Sequence, residues 1–137
     1  MGIASMRPRQ AGVELKGTVK LPFGEVPATD GSLDNGVCVL QVKGEIDLAS
    51  APALRSALVR LHQVGNRRFV LNLSGVSHLD STGLGVLVAF SRTLDGAGQI
   101  AIAAPPRKVS ALLRATGLDH RFPIFRSVDE AIAGCQA

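Results

Sequence analysis

An α/β domain, with a mixed, mostly parallel sheet of four to five strands and about four helices, is predicted by three observations. Short runs rich in Val, Ile and Leu alternate along the chain with stretches of helical apolar spacing. Gly, Pro, Asn and Asp stand between these stretches as breaks. The 137 residues suffice for one core and are short for two.

The elements follow in order. Residues 1–12 have no periodicity and are expected to form a flexible tail, leaving 13–137 as a single domain. Val13, Leu15, Gly17, Val19 and Leu21 alternate with Glu14, Lys16, Thr18 and Lys20, the pattern of a half-buried strand. Pro22 to Gly36 collects turn-forming residues and is predicted to be a long exposed loop, so 13–36 would be an extended first strand plus that loop. The alternative is a disordered extension up to Gly36. Val37 to Lys43 is a strand by composition, ended by Gly44. Ser50 is the expected N-cap of a helix with Pro52 in its first turn and Leu54, Leu58, Leu61 and Val64 on one face; Gly65-Asn66 stops it.

Arg68 to Leu73 is a second strand, and a short loop leads to Leu79. A helix begins near Leu84, with Leu84, Leu87, Val88 and Leu94 on one face, and ends at Gly96-Ala97-Gly98. Gln99 to Ala104 is a short buried strand. Pro105-Pro106 opens a helix through Val109, Leu112, Leu113 and Thr116 that stops at Gly117. Pro123 to Phe125 is a last short strand, and Ser127-Val128-Asp129-Glu130 is a capping-box sequence opening a final helix towards Cys135. The first two strands, joined without a helix, are expected to be antiparallel neighbours.

Composition narrows the function. The chain has no Trp, no Tyr and a net charge of +4, with Arg and Lys scattered apart from the pairs Arg67-Arg68 and Arg107-Lys108. Base-stacking platforms and phosphate-tracking stripes are therefore disfavoured, and no direct nucleic-acid contact is expected. Cys38 and Cys135 have no CxxC or framework spacing and are read as free thiols, with a disulfide between them as the minority reading. No apolar run is long enough to span a bilayer, and Met1 to Met6 lacks a signal-peptide core. Gly2 starts a myristoylation pattern that Met6 breaks. A cytoplasmic protein without membrane insertion is the expectation.

If the Val37 and Arg68 strands are parallel, with a right-handed crossover between them, their C-terminal ends emerge on one edge of the sheet. Gly44-Glu45-Ile46-Asp47 and Leu79-Asp80-Ser81-Thr82-Gly83 would then lie near each other. Asp80, Ser81 and Thr82 are all good helix caps, and one reading of them is a cap and nothing more. Only one residue can hold the cap position, however, so at least one hydroxyl is left at the positive end of a helix dipole. A phosphate there would add a charge of about −1.5 to −2 and repel an acidic or apolar partner. Both readings are compatible with the residues.

Other chemistry is poorly supported. Gly83-Leu84-Gly85 is too short to cradle a phosphate, and there is no GxxxxGK[ST] or GxSxG. His62, His78 and His120 lack ligand spacing. His78, Asp80 and Ser81 crowd into one turn, which no catalytic triad does. Glu45 and Asp47 are more commonly solvated loop carboxylates than an acid/base pair. Nothing demands an enzyme, a cofactor or a metal.

The segment Leu73-Ser74-Gly75-Val76-Ser77-His78-Leu79-Asp80-Ser81-Thr82-Gly83-Leu84-Gly85 resembles the phosphorylation-site segment of bacterial anti-sigma-factor antagonists, which belong to the STAS family. Val42-Lys43-Gly44-Glu45-Ile46-Asp47 resembles the family's other signature, a strand ending in Gly-Glu-Leu-Asp, with Ile46 in place of Leu. Ala103-Ala104-Pro105-Pro106, Leu112 and Thr116-Gly117-Leu118 resemble its fourth strand and following helix. The resemblance runs from about Val37 to the C-terminus; residues 1–36 are longer than such a domain needs.

The resemblance implies partner switching. The unphosphorylated protein would bind an anti-sigma factor that is also a serine kinase, which frees the sigma factor. Phosphorylation of Ser81 (alternatively Thr82) would end the contact, and a serine/threonine phosphatase would restore it. Glu45, Asp47, Asp80, Ser81, Thr82, Gly83 and Leu84 would face the partner, and ATP would belong to the kinase, with no cofactor on this chain. The alternative is a phosphorylation-independent STAS scaffold in a larger stress-sensing or membrane-associated complex.

Overall fold

A computed structural model describes residues 19–21, 24–26, 30–34, 36–63, 65–94, 96 and 98–136. The expected tail over 1–12 and the stretch Val13 to Thr18 lie outside these residues. The chain order is β1 (Val19–Leu21), β2 (Gly24–Val26), β3 (Asp30–Asp34), β4 (Val37–Ile46), α1 (Ala51–Gln63), β5 (Arg68–Leu79), α2 (Ser81–Leu94), β6 (Gln99–Ala103), α3 (Arg107–Ala115), a 3-10 turn (Leu118–His120), β7 (Ile124–Phe125) and α4 (Val128–Gln136).

The main sheet has five strands in the order β3-β4-β5-β6-β7. The pairs β4–β5, β5–β6 and β6–β7 are parallel, and β3 is an antiparallel edge strand. With four helices, this is the mixed, mostly parallel α/β domain that the sequence predicts. Alternation along the strands separates two cores. Phe69, Leu71 and Leu73 of β5 join Cys38, Leu40 and Val42 of β4 against α1, α2 and α3. Val70 of β5 and Val37, Ala101 and Ala103 of its neighbours face Ala131, Ile132 and Cys135 of α4. Phe90 of α2 stands edge-on to Phe69, with ring centroids 5.3 Å apart.

Several boundaries correct the sequence reading. The stretch from Pro22 to Gly36 is not one loop, because it contains β2 and β3. β1 pairs with β2 in a separate ribbon, so the antiparallel neighbour of β4 is β3 and not the first strand. β3 and β4 form a hairpin closed where Asp34 pairs with Val37, and Gly36 between them has φ +82°. An Asn-Gly pair between two strands is a strong hairpin signal, and its second position needs the positive φ that glycine supplies. β4 does not end at Gly44 but continues to Ile46. Gly44 has φ +89° and lies where the register with β5 shifts, so it marks a bulge rather than an end. β5 does not end at Leu73 but runs to Leu79.

The helix ends follow local chemistry. Asn66 closes α1: its backbone N–H and its Nδ2 both donate to the Leu61 carbonyl. Ser127 Oγ accepts from the Glu130 N–H at 3.1 Å as half of a capping box. The Glu130 carboxylate reaches the N–H of Arg126 rather than that of Ser127. Cys38 and Cys135 are free, buried and on opposite faces of the sheet, which removes the disulfide reading.

Candidate functional site

The C-terminal ends of β4 and β5 are held side by side by their parallel register, which pairs Glu45 with His78 and Ile46 with Leu79. The Asp80 N–H extends this register by donating to the Ile46 carbonyl at 3.1 Å. The two acidic segments therefore meet on one edge of the sheet, as the strand–helix–strand argument requires.

The turn into α2 assigns the three capping-type residues. Asp80 is the cap: its Oδ1 accepts from the Thr82 N–H at 2.9 Å and the Gly83 N–H at 3.2 Å. Its carbonyl accepts from the Leu84 N–H at 3.1 Å. Ser81 is then the first helical residue and is exposed, and Thr82 is half-buried. Among the described residues no protein group bonds the Ser81 hydroxyl. Asp80 has already satisfied the amides of Thr82 and Gly83, so an anion placed on Ser81 finds little of the helix end left to engage. It would sit outside the turn and change the surface instead of rebuilding the helix.

Gly83 packs into the seam between the two strands. A Cβ there would stand 2.5 Å from Leu79 Cδ1 and 2.6 Å from Ile46 Cγ2, so only glycine fits without displacement. Leu84 is buried in the main core. Gly83 and Leu84, which the resemblance places among the partner-facing residues, are both buried in the structure. Glu45 and Ser81 are exposed; Asp47, Asp80 and Thr82 are partly so.

The loop from Glu45 to Ser50 is braced from within. Ser50 precedes α1 as expected, but its hydroxyl turns back into the loop instead of capping the helix. It is 4% exposed, donates to the Glu45 carbonyl at 2.8 Å and accepts from the Asp47 N–H at 2.9 Å. Asp47 Oδ1 accepts from the N–H groups of Ala49 at 3.1 Å and Ser50 at 3.0 Å. This bracing holds Leu48 outward with 75% of its surface exposed. Sequence reasoning passed over Leu48. The available signal was an apolar residue placed off the α1 stripe of Leu54, Leu58 and Leu61.

No three of His, Cys, Asp and Glu come together to hold a metal ion among the described residues. No helix among them is long and apolar enough to cross a membrane.

The family model described as the STAS domain matches residues 32–131. The anti-sigma-F factor antagonist RsfB of Mycobacterium tuberculosis is 33% identical over 100 residues, covering 73% of this chain and 82% of the relative. An anti-sigma-B factor antagonist of Staphylococcus aureus is 34% identical over 80 residues, covering 58% of this chain and 74% of the relative. The crystal structure of an anti-sigma factor antagonist from Mycobacterium paratuberculosis superposes with a TM-score of 0.74 at 31% identity, covering 80% of this chain and 93% of that one.

Proposed function

We propose that this chain, which belongs to the STAS domain family, is an anti-sigma factor antagonist whose binding is switched off by phosphorylation of Ser81. The observation that carries the reading is the division of labour at the turn into α2. Asp80 takes the whole capping role, so the neighbouring Ser81 hydroxyl is spare, exposed and chemically accessible. Two relatives above 30% identity named as anti-sigma factor antagonists support the partner class.

In its unmodified state the edge formed by Glu45, Asp47, Ser81 and Thr82 binds an anti-sigma factor with serine kinase activity. That kinase places a phosphate on Ser81, and a serine/threonine phosphatase removes it. The added charge of about −1.5 to −2 stands beside Asp80 and Glu45, desolvates poorly and ends the contact. The reaction uses ATP held by the kinase, so this chain needs no cofactor of its own, and its place is the cytoplasm.

Incubation with the cognate kinase and ATP, followed by intact mass and fragmentation across Leu79 to Leu84, tests the acceptor. One phosphate on Ser81, and none on a Ser81→Ala variant, is the expected result. Phosphate on Thr82 in wild type would move the acceptor by one residue. A Ser81→Asp variant that binds the anti-sigma factor as tightly as wild type would overturn the switch and favour a fixed scaffold.

A further inference from the structure

We infer that the cleft at the C-terminal ends of β6 and β7 binds a small organic phosphate, holding the phosphate between Arg114 and Arg126 and laying its apolar body on Ile124 and Phe125. The inference stands apart from the switch at Ser81 and concerns another part of the molecule. The β5–β6 pairing ends at Asn72↔Ala103, while β5 continues to Leu79 before the chain reaches Ser81.

The cleft has a volume of about 490 Å³, within the roughly 300–1,000 Å³ of small-molecule sites. Ala104 and Pro105 line it from the turn after β6, and Ser110 and Arg114 from α3. Ile124, Phe125 and Arg126 line it from β7 and the residue beyond. Two parallel strands end here, and open α/β sheets receive ligands outside the carboxyl ends of such strands.

The lining is apolar with one kind of charge. Its ionisable side chains are two guanidiniums, its hydroxyl is that of Ser110, and no carboxylate lines it. α3 carries no acidic residue, and Arg107 stands one turn before Ser110 on the face that also bears Arg114. Among the described residues neither guanidinium of the cleft pairs with a carboxylate. The Glu130 carboxylate near Arg126 accepts from the backbone N–H of that residue at 3.3 Å instead. Two cations lining one cleft repel each other until an anion stands between them. A phosphate monoester, with a charge of about −1.5 to −2, offsets both and offers enough oxygens for two guanidinium forks. A carboxylate offsets only one.

The backbone marks the cleft as built. Among the described residues Ala104 is the one non-glycine with a positive φ, +53°. It directly precedes Pro105, a position that favours extended backbone. Its N–H donates to the Phe125 carbonyl at 2.8 Å, which ties the strained turn to β7. A strained residue held in place at the lining of a cleft is where a fold serves a ligand.

Phenyl phosphate is titrated into the full chain, followed by amide NMR shifts and calorimetry. Inorganic phosphate and phenol serve as the anion alone and the apolar body alone. Saturable binding at one site with a Kd below about 1 mM is expected, with shifts centred on Ser110, Phe125 and Arg126. Inorganic phosphate should bind about tenfold or more weakly, and phenol not at all. Arg114→Gln and Arg126→Gln should each lose about tenfold for phenyl phosphate without a change in thermal melting. Arg60→Gln on α1 and Ser81→Ala should bind as wild type. Absence of saturable binding, shifts centred elsewhere, or equal affinity of the Arg114 and Arg126 variants would overturn the site. Inorganic phosphate binding as tightly as phenyl phosphate would overturn the organic ligand.

Discussion

Asp80 serves the fold, and Ser81 is free of it. Replacing Asp80 by Ala removes an acceptor from two helix amides and should cost about 1 kcal/mol, within the roughly 0.5–2 kcal/mol of cap deletions. Asp80→Asn keeps an acceptor oxygen and should recover most of that loss. Urea unfolding followed by circular dichroism, the natural probe for a chain without Trp or Tyr, measures both. Equal stability of Asp80→Ala and wild type would mean that another group caps α2. Ser81→Ala should leave the unfolding curve in place. The sequence displayed three capping residues in a row but not their order of duties. That order is set by the Asp80 N–H reaching the Ile46 carbonyl, a contact between distant segments that no local pattern encodes. Leu48 was missed for a related reason. Its exposure follows from the bonds of Ser50 and Asp47, whereas the sequence pattern assigns Ser50 to the helix cap.

Elements with an unbroken period are legible in the sequence apart from their ends, and the strands that escape it break their period. All four helices form near where apolar spacing or capping signals place them, but α2 begins at Ser81, three residues before the Leu84 start that its apolar spacing predicts. The strand pattern of β5 stops at Leu73 in the sequence because its buried residues beyond that point are Val76 and Leu79, at intervals of three instead of two. Its pairing explains the change. The register with β4 moves from Gln41↔Asn72 to Lys43↔Gly75, and from Gly44↔Val76 to Glu45↔His78, so β5 carries an extra residue at each shift. Those shifts keep Val76 and Leu79 pointing into the core while the strand reaches the site. The loop that follows β4 depends on the Ser50 hydroxyl. Ser50→Ala should leave the Glu45 carbonyl and Asp47 N–H without their partner and cost about 1–3 kcal/mol. Amide hydrogen exchange should speed up first at Asp47, Ala49 and Ser50, with β5 still protected. Loss of protection spread evenly through the sheet would instead make Ser50 a general core residue.

At the scale of the whole molecule, the two faces of the sheet carry one thiol each, and the sheet lies between them. Cys38 is fully buried among β4, β5 and the first three helices, and burial pushes its thiol up from the ordinary 9.0 to about 12. Cys135 lies under α4, and burial raises its thiol too, against weaker opposing effects of Gln99 and Arg68. The folded state thus prefers the neutral thiol. Below the unfolded value near pH 9 both states are protonated, and the preference is fully present. As pH climbs from about 9 towards 12 the unfolded chain gives up the Cys38 proton while the folded one keeps it, so stability should fall. The slope contributed by one such group is about 1.4 kcal/mol per pH unit at most. Urea unfolding across that range, with Cys38→Ala as the reference, isolates the effect: wild type should lose stability relative to the variant as pH rises. Parallel curves would mean that Cys38 is reached by water in the folded state. The same burial predicts that oxidation of the native protein forms no internal bridge. Alkylation of Cys38 should proceed only as fast as the sheet opens, because thiolate and reagent both require exposure that the fold withholds. Ser81 on the sheet edge is exposed in the folded chain, so chemistry at its hydroxyl would not require the core to open.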